Sequence, residues 1–217
     1  MISQGKQFVI KAVTIILISN TLVQVMQTFN WNFQLVEEGM ASTSILATLA
    51  GPLSILFIPL GFGLWQLAAA AITGFIAKEN VVGTLAVVFG ITNFINTEEL
   101  VLVSGSGEVA SIMGLTTVAA LAYLCFNLFT PPCFAAIGAM NAELDSKKWL
   151  FGAIGFQLGM GYTLAYFIYQ VGTLITTGQL GQGTLFGLIG VVIYIGFITY
   201  LIKRNEQANL TLSSEGA

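Results

Sequence analysis

The sequence predicts an all-α polytopic membrane protein, and three observations lead to that prediction. First, hydrophobic residues make up 56% of the 217-residue chain and charged residues only 8%. Soluble domains carry roughly 25% charged residues, so this chain cannot cover a water-facing surface. Second, apolar stretches of about 20 residues, which cross a bilayer as a helix, recur along the chain. Third, six of the seven basic residues fall in three short clusters. A soluble enzyme and a nucleic-acid-binding protein are therefore excluded.

The apolar stretches define about six transmembrane or re-entrant helices, which we expect to form one domain over residues 1–204. They cover residues 8–29, 44–62, 64–91, 110–140, 149–171 and 183–202. The first is too long for a signal peptide and ends in an aromatic belt. The second contains Gly51-Pro52 and Pro59, so it forms either a kinked span or a re-entrant segment. The last stops at Lys203-Arg204.

The basic clusters predict the orientation of the chain. They are Lys6 with Lys11, Lys147 with Lys148, and Lys203 with Arg204. The positive-inside rule assigns all three to the cytoplasm, which requires an even number of crossings between them. Both termini are then cytoplasmic, provided that residues 44–62 cross the membrane. Residues 205–217 are polar and are expected to form a flexible cytoplasmic tail.

The third stretch is interrupted by Lys78 and Glu79, about 14 residues from its start. A charge at the bilayer centre costs roughly 2.5–3.5 kcal/mol on insertion scales. Neighbouring residues on a helix point about 100° apart, so the two charges cannot pair well in a regular helix. The pattern predicts a discontinuous helix that lines an ion or substrate path, with Asn80 beside it. The alternative is a short loop between two half-length hairpin arms, with both charges at an interface.

The fourth stretch is interrupted by Thr130-Pro131-Pro132-Cys133. Two prolines remove two backbone donors, so the upstream carbonyl groups must face protein, water or an ion. Asn127 and Thr130 supply further oxygen atoms, and Cys133 supplies a thiol that suits late first-row metals. The alternative is a kink with a buried structural cysteine, and packing is the favoured interpretation of Cys125.

The fifth and sixth stretches combine polar residues with glycine pairs. Gln157 is a polar residue inside the fifth stretch and a candidate for the transport path. Gly155 and Gly159, like Gly183 and Gly187, are spaced four apart, which lets helices approach closely. In the first stretch, Asn20 and Gln24 stand one turn apart and are expected to face a partner helix or a polar path, with hydrogen bonds between helices favoured.

Other motifs are absent from the sequence. The chain has no histidine, so serine–histidine and cysteine–histidine catalytic pairs are impossible. It has no P-loop motif for nucleotide binding. We therefore expect no enzymatic activity and no permanently bound cofactor.

At its two breaks the chain resembles the C-terminal membrane half of the ferrous iron transport protein B family, FeoB. Residues 61–65 (GFGLW) and 73–85 (TGFIAKENVVGTL) are similar to the family's "GF…W…TGxxAKExVVxTL" pattern. Residues 126–133 (FNLFTPPC) resemble its "LLYxPC" gate segment, and residues 148–170 resemble its "WKW…YQ…AYxxAxxVYQ" block. Asn80 departs from the pattern, which has an apolar residue there.

The resemblance implies Fe²⁺ uptake across the cytoplasmic (inner) membrane of a prokaryote, with Fe²⁺ as transported substrate. The family's gate cysteine corresponds to Cys133, and its charged pair corresponds to Lys78 and Glu79. The metal path would then include Cys133, Glu79, Thr130 and Asn127, with Lys78, Asn80, Pro131, Pro132 and Gln157 beside it. A full family member also has a G domain and a first gate half, so we expect this chain to be a fragment, a split subunit or a reduced relative. As a split subunit it would take these parts from a separate chain.

Two other functions are compatible with the sequence. A gate-type carrier for another solute, such as a nucleoside, would work as a homo-oligomer in which a second copy supplies the other half. A non-transporting assembly subunit would keep the gate only as a relic. In every case the lipid bilayer is a partner and nucleic acid is not.

Overall fold

A computed structural model describes residues 2–36, 40–78, 80–89, 95–96, 101–102, 113–144 and 146–215. Across these ranges most of the chain is helical, which confirms the predicted all-α fold class. Besides the loops and turns that join the helices, the described residues form a two-residue antiparallel ladder between β1 (Ile95–Asn96) and β2 (Val101–Leu102) and an isolated antiparallel bridge between Phe29 and Leu35. The fold is therefore that of a helical membrane protein with interrupted helices.

The helices follow the apolar stretches in order. They are α1 (Ile2–Thr28), α2 (Ile45–Phe57), α3 (Trp65–Ile76), α4 (Asn80–Val88), α5 (Thr117–Phe129), α6 (Phe134–Glu143), α7 (Lys147–Thr177) and α8 (Thr184–Glu215). Short 3₁₀ turns at Ala41–Thr43 and Ile58–Leu60 precede and follow α2.

Three helical segments of the described chain are long and apolar enough to cross a membrane. They are Thr117–Glu143, which contains α5 and α6, then Lys147–Thr177, and Thr184–Lys203. The bent pair α2–α3 makes a fourth if it is counted as one span, and the apolar part of α1, Val13–Thr28, is shorter. Both interruptions predicted from the sequence are present, whereas the orientation of the chain stays a prediction.

The sharp bend between α2 and α3 lies at Pro59–Gly61 and not at Gly51-Pro52. Helix α2 continues through Pro52. Beyond the 3₁₀ turn, the chain bends by 101° between the segments Ile45–Leu60 and Trp65–Ile76. Gly61 has φ +84°, a conformation that other residues rarely adopt, and the Tyr169 ring lies directly against it. The turn thus combines a proline, a left-handed glycine and a covering aromatic ring, and it remains either a bent span or a re-entrant loop.

The core lies between α2, α3, α5 and α7. Phe62 stacks on Phe57 and packs edge-on against Tyr123, with ring centroids 5.4 and 5.1 Å apart. Phe126 closes this group of rings at 5.2 Å from Phe57. Alanines 68–70 are fully buried, so α3 can approach its neighbours closely.

Gln170 of α7 fixes the turn that leads into α8. Its Nε2 donates to the Pro59 carbonyl oxygen at 2.9 Å. Its Oε1 accepts from the Gly181 amide and from the Thr184 hydroxyl, both at 3.0 Å. A buried amide side chain with these partners is structural, because it joins three separate segments.

Helix α8 runs on through the polar end of the chain. Its backbone is helical as far as Glu215, so residues 205–215 are not irregular. The flexibility of this tail and its cytoplasmic side stay predictions.

Candidate ion-path site at two helix breaks

The first break, between α3 and α4, is a reversal of the chain. Thr73 of α3 and Thr84 of α4 are hydrogen-bonded through their hydroxyl groups at 2.9 Å. In one continuous helix these residues would lie roughly 16 Å apart along the axis. The two helices are therefore the arms of a hairpin with Lys78 at its tip, which is the second of the two sequence-based alternatives. Glu79 lies outside the described residues.

A buried chain of hydrogen bonds holds this hairpin together and ties it to α1. The Thr73 hydroxyl donates to the Ala70 carbonyl at 3.0 Å, so its proton is not available to Thr84. Thr84 therefore donates to Thr73 and accepts from Gln27 Nε2, which lies 3.0 Å away on α1. Because each hydroxyl has a single proton, the direction of every hydrogen bond in this series is fixed.

Asn80, the first residue of α4, makes a second link to α1. Its Nδ2 donates to Oδ1 of Asn20 at 2.7 Å. The predicted bond between helices is confirmed for Asn20, whereas Gln24 is exposed and its Nε2 reaches only Thr28 of the same helix, at 3.4 Å. Gln27, which the sequence analysis did not single out, takes the place expected for Gln24.

We expect Thr84→Val to lower the free energy of unfolding by about 1 kcal/mol, the upper range for hydrogen bonds between membrane helices. Valine keeps the shape of threonine but leaves Gln27 Nε2 without its acceptor and the Thr73 hydroxyl oxygen without its donor. Thermal unfolding in detergent measures the loss. The matched control is Thr14→Val in α1, because Thr14 is exposed and bonds only within its own helix. Equal losses in the two variants would contradict the structural role of Thr84.

The second break, between α5 and α6, leaves carbonyl groups exposed at the end of α5. In a regular helix, residues 131 and 132 would donate to the carbonyls of Asn127 and Leu128. Both are prolines and have no N–H. Helix α5 ends at Phe129, and α6 begins after Cys133. The break therefore creates acceptors that need a donor from elsewhere.

The ammonium group of Lys78 supplies that donor. Its Nζ lies 2.9 Å from the carbonyl oxygen of Asn127, 3.4 Å from that of Leu128 and 3.1 Å from that of Thr130. A positive charge at this position also complements the negative end of the α5 dipole. The two breaks, which are about 50 residues apart in the sequence, thus form one site.

The candidate metal ligands on the fourth stretch lie on both sides of this site. Asn127 Nδ2 donates to the Tyr123 carbonyl at 2.9 Å, which leaves its side-chain oxygen for other contacts. The Thr130 hydroxyl donates to the Asn127 carbonyl at 3.1 Å. Cys133 is a half-buried free thiol immediately before α6. Among the described residues, no group of three or more His, Cys, Asp or Glu side chains is arranged to hold a metal.

Helix α7 covers the second break with a glycine. A Cβ atom on Gly161 would lie 3.3 Å from the carbonyl carbon of Phe129 and from the amide nitrogen of Thr130. Farther along, Gly172 packs on Val118, so α7 is antiparallel to α5. Gln157, one turn before Gly161, therefore lies at the level of the residues that follow Thr130. Its Oε1 is buried and accepts no hydrogen bond from the part of the chain that the structure describes.

These contacts define a class of protein: a helical membrane protein in which two interrupted helices meet through a lysine and freed carbonyl groups. Residues 9–147 match the model of the Gate family, described as nucleoside recognition. The chain belongs to this family, and it is similar to part of several curated proteins of the FeoB type. The matched range contains both helix breaks.

The relatives are named Fe(2+) transporter FeoB. The protein of Staphylococcus aureus is 32% identical over 118 residues, which are 54% of this chain and 16% of the relative. That of Methanocaldococcus jannaschii is 29% identical, covering 77% of this chain and 24% of the relative. That of Salmonella typhi is 26% identical, covering 92% and 31%. The chain thus spans about a sixth to a third of the length of these relatives. No solved structure matches it.

Proposed function

We propose that this chain is the membrane subunit of a ferrous iron transporter and forms part of the Fe²⁺ path. The observation that carries the proposal is the junction of the two breaks, where Lys78 reaches the carbonyl groups of Asn127 and Leu128, which Pro131 and Pro132 leave free. Broken helices inside a membrane are typical of ion and substrate sites. The names of the relatives supply the ion.

The ligands that we propose for Fe²⁺ are the Cys133 thiol, the side-chain oxygens of Thr130 and Asn127, and the Glu79 carboxylate. A thiolate with oxygen ligands suits Fe²⁺ better than it suits Mg²⁺ or Ca²⁺. Gln157 extends this set, since its buried side-chain oxygen accepts no hydrogen bond from the described residues and Gly161, one turn later on α7, packs on the same break. Lys78, Asn80, Pro131 and Pro132 shape the path without binding the metal.

We further propose that a separate chain supplies the G domain and the first gate half. The resemblance of residues 61–170 to the FeoB pattern supports this, because the family combines these parts. Both termini would lie in the cytoplasm of a prokaryote, where such a partner is accessible. Purification of the tagged chain from its native membranes should recover a membrane G protein.

The test of the proposed function is uptake of radioactive Fe²⁺ under reducing conditions by membranes that contain this chain and its recovered partner. We expect uptake that depends on this chain and exceeds uptake by membranes with the partner alone. Excess Mg²⁺ should not compete, because a thiolate-containing path disfavours it. Uptake that is unchanged when this chain is removed would refute the proposal.

The description of the matched family favours a second candidate, a carrier for a nucleoside that works as a homo-oligomer. The two candidates differ in the ligand that stabilises the protein. A ligand that binds only the folded state raises the unfolding temperature. Stabilisation by nucleosides without an effect of Fe²⁺ would support the carrier, and the reverse would support the iron transporter.

A further inference from the structure

The carbonyl oxygens of Asn127, Leu128 and Thr130 converge on one point, which the Lys78 ammonium occupies. We propose that this carbonyl cluster is a binding site for a primary ammonium cation, and that Lys78 fills it from within the chain. The proposal gives the cluster a ligand class different from that of the iron path. It depends on the geometry of the break and not on the transported substrate.

The distances support a cation that donates hydrogen bonds. The three N···O separations are 2.9, 3.1 and 3.4 Å, and a primary ammonium has three N–H donors for three acceptors. Hard divalent metals bind oxygen at about 2.0–2.6 Å. Each oxygen would therefore have to move inwards by several tenths of an ångström or more to hold such an ion.

Packed neighbouring residues hold the three carbonyl oxygens in this arrangement. Pro131 is fully buried, and the Gly161 backbone of α7 packs on residues 129 and 130 from the other side. The Thr130 hydroxyl already donates to the Asn127 carbonyl, which fixes the last turn of α5. The acceptors are thus part of a packed backbone, whereas the Lys78 side chain is exposed and joined to the site only by its flexible stem.

The test adds back, as a free molecule, the part of the Lys78 side chain that the Lys78→Ala substitution removes. Lys78→Ala lacks the atoms of n-propylammonium, which can be added to the purified protein in detergent. We expect Lys78→Ala to unfold roughly 4–8 °C below the original protein, as expected for loss of charged hydrogen bonds in a chain of this size. Added n-propylammonium should raise the unfolding temperature of the variant by several degrees, in a saturable way.

Two other additives and a second variant test whether the stabilisation requires a primary ammonium group. Tetramethylammonium has the charge but no N–H donor, and n-propanol has nearly the same shape but no charge. Neither should rescue the variant, and n-propylammonium should leave the protein with Lys78 unchanged. Lys78→Met keeps the aliphatic stem and removes only the ammonium, so it should be destabilised as well.

The proposal is overturned if tetramethylammonium rescues Lys78→Ala as well as n-propylammonium does. It is also overturned if Lys78→Met unfolds at the same temperature as the original protein. The assay contains no iron. Rescue by tetramethylammonium would remove the ammonium site without removing the thiol and side-chain oxygens proposed for iron, and absence of iron uptake would leave this site standing.

Discussion

Cys133→Ser is expected to reduce Fe²⁺ uptake at least tenfold while the protein still inserts into the membrane. The thiol lies at the start of α6, directly after the two prolines, where the backbone is already separated from a regular helix. Serine has nearly the same size and can fill the same space. It does not ionise at neutral pH, so it removes the soft ligand and leaves the packing intact.

Cys125→Ser is the matched control for this change. Cys125 is also a half-buried free thiol, but it lies within α5, about one turn before the end of that helix. Uptake should remain close to that of the original protein, because a cysteine inside a helix acts as a small hydrophobic residue. Undiminished uptake by Cys133→Ser would remove the thiol from the iron path, and equal losses in both variants would indicate a structural effect.

Gly161→Val should destabilise the protein by about 3 kcal/mol, the cost of overpacking at a site that cannot relax. A single Cβ at this position would already meet backbone atoms of Phe129, Thr130 and Phe126 at 3.3–3.4 Å. Two further methyl groups would push α7 away from the end of α5. Since the neighbours are main-chain atoms at a proline break, they cannot rotate out of the way.

Gly155→Val controls for the change in helix propensity. Gly155 is on the same helix, and a Cβ atom there meets nothing within 4 Å. Both variants lose the same flexibility and gain the same branched side chain. Thermal unfolding of the two proteins isolates the contact between α7 and the break. If Gly155→Val loses as much stability as Gly161→Val, close packing on the break is not the cause.

The sequence predicted the positions of both breaks because charges and paired prolines are rare inside apolar stretches. It could not decide between a discontinuous helix and a hairpin at Lys78. That choice depends on tertiary bonds such as that between Thr73 and Thr84, and neither threonine departs from what a membrane helix tolerates. Two local signals for a hairpin were available in the sequence. They are the short length of its arms and Gly74, which packs on Val81.

The partner of Lys78 was also beyond the reach of sequence patterns. Prolines 131 and 132 predict unpaired carbonyls, and Lys78 predicts an unpaired ammonium, yet about 50 residues separate them. The contact can be predicted only by asking which donor elsewhere in the chain satisfies each unpaired carbonyl group. Gln27 was missed for a related reason, since its role depends on a buried hydroxyl of α4. The metal ligands proposed from the thiol and oxygen chemistry stay predictions.

The bond between Lys78 and the end of α5 has a consequence for biosynthesis. The ribosome makes residue 78 well before residues 127–130, so the hairpin emerges before the carbonyl groups that its ammonium will occupy. A lysine inside hydrocarbon is costly while it lacks acceptors. We therefore expect the hairpin to settle only when α5 lies beside it, because α5 brings the acceptors of the Lys78 ammonium.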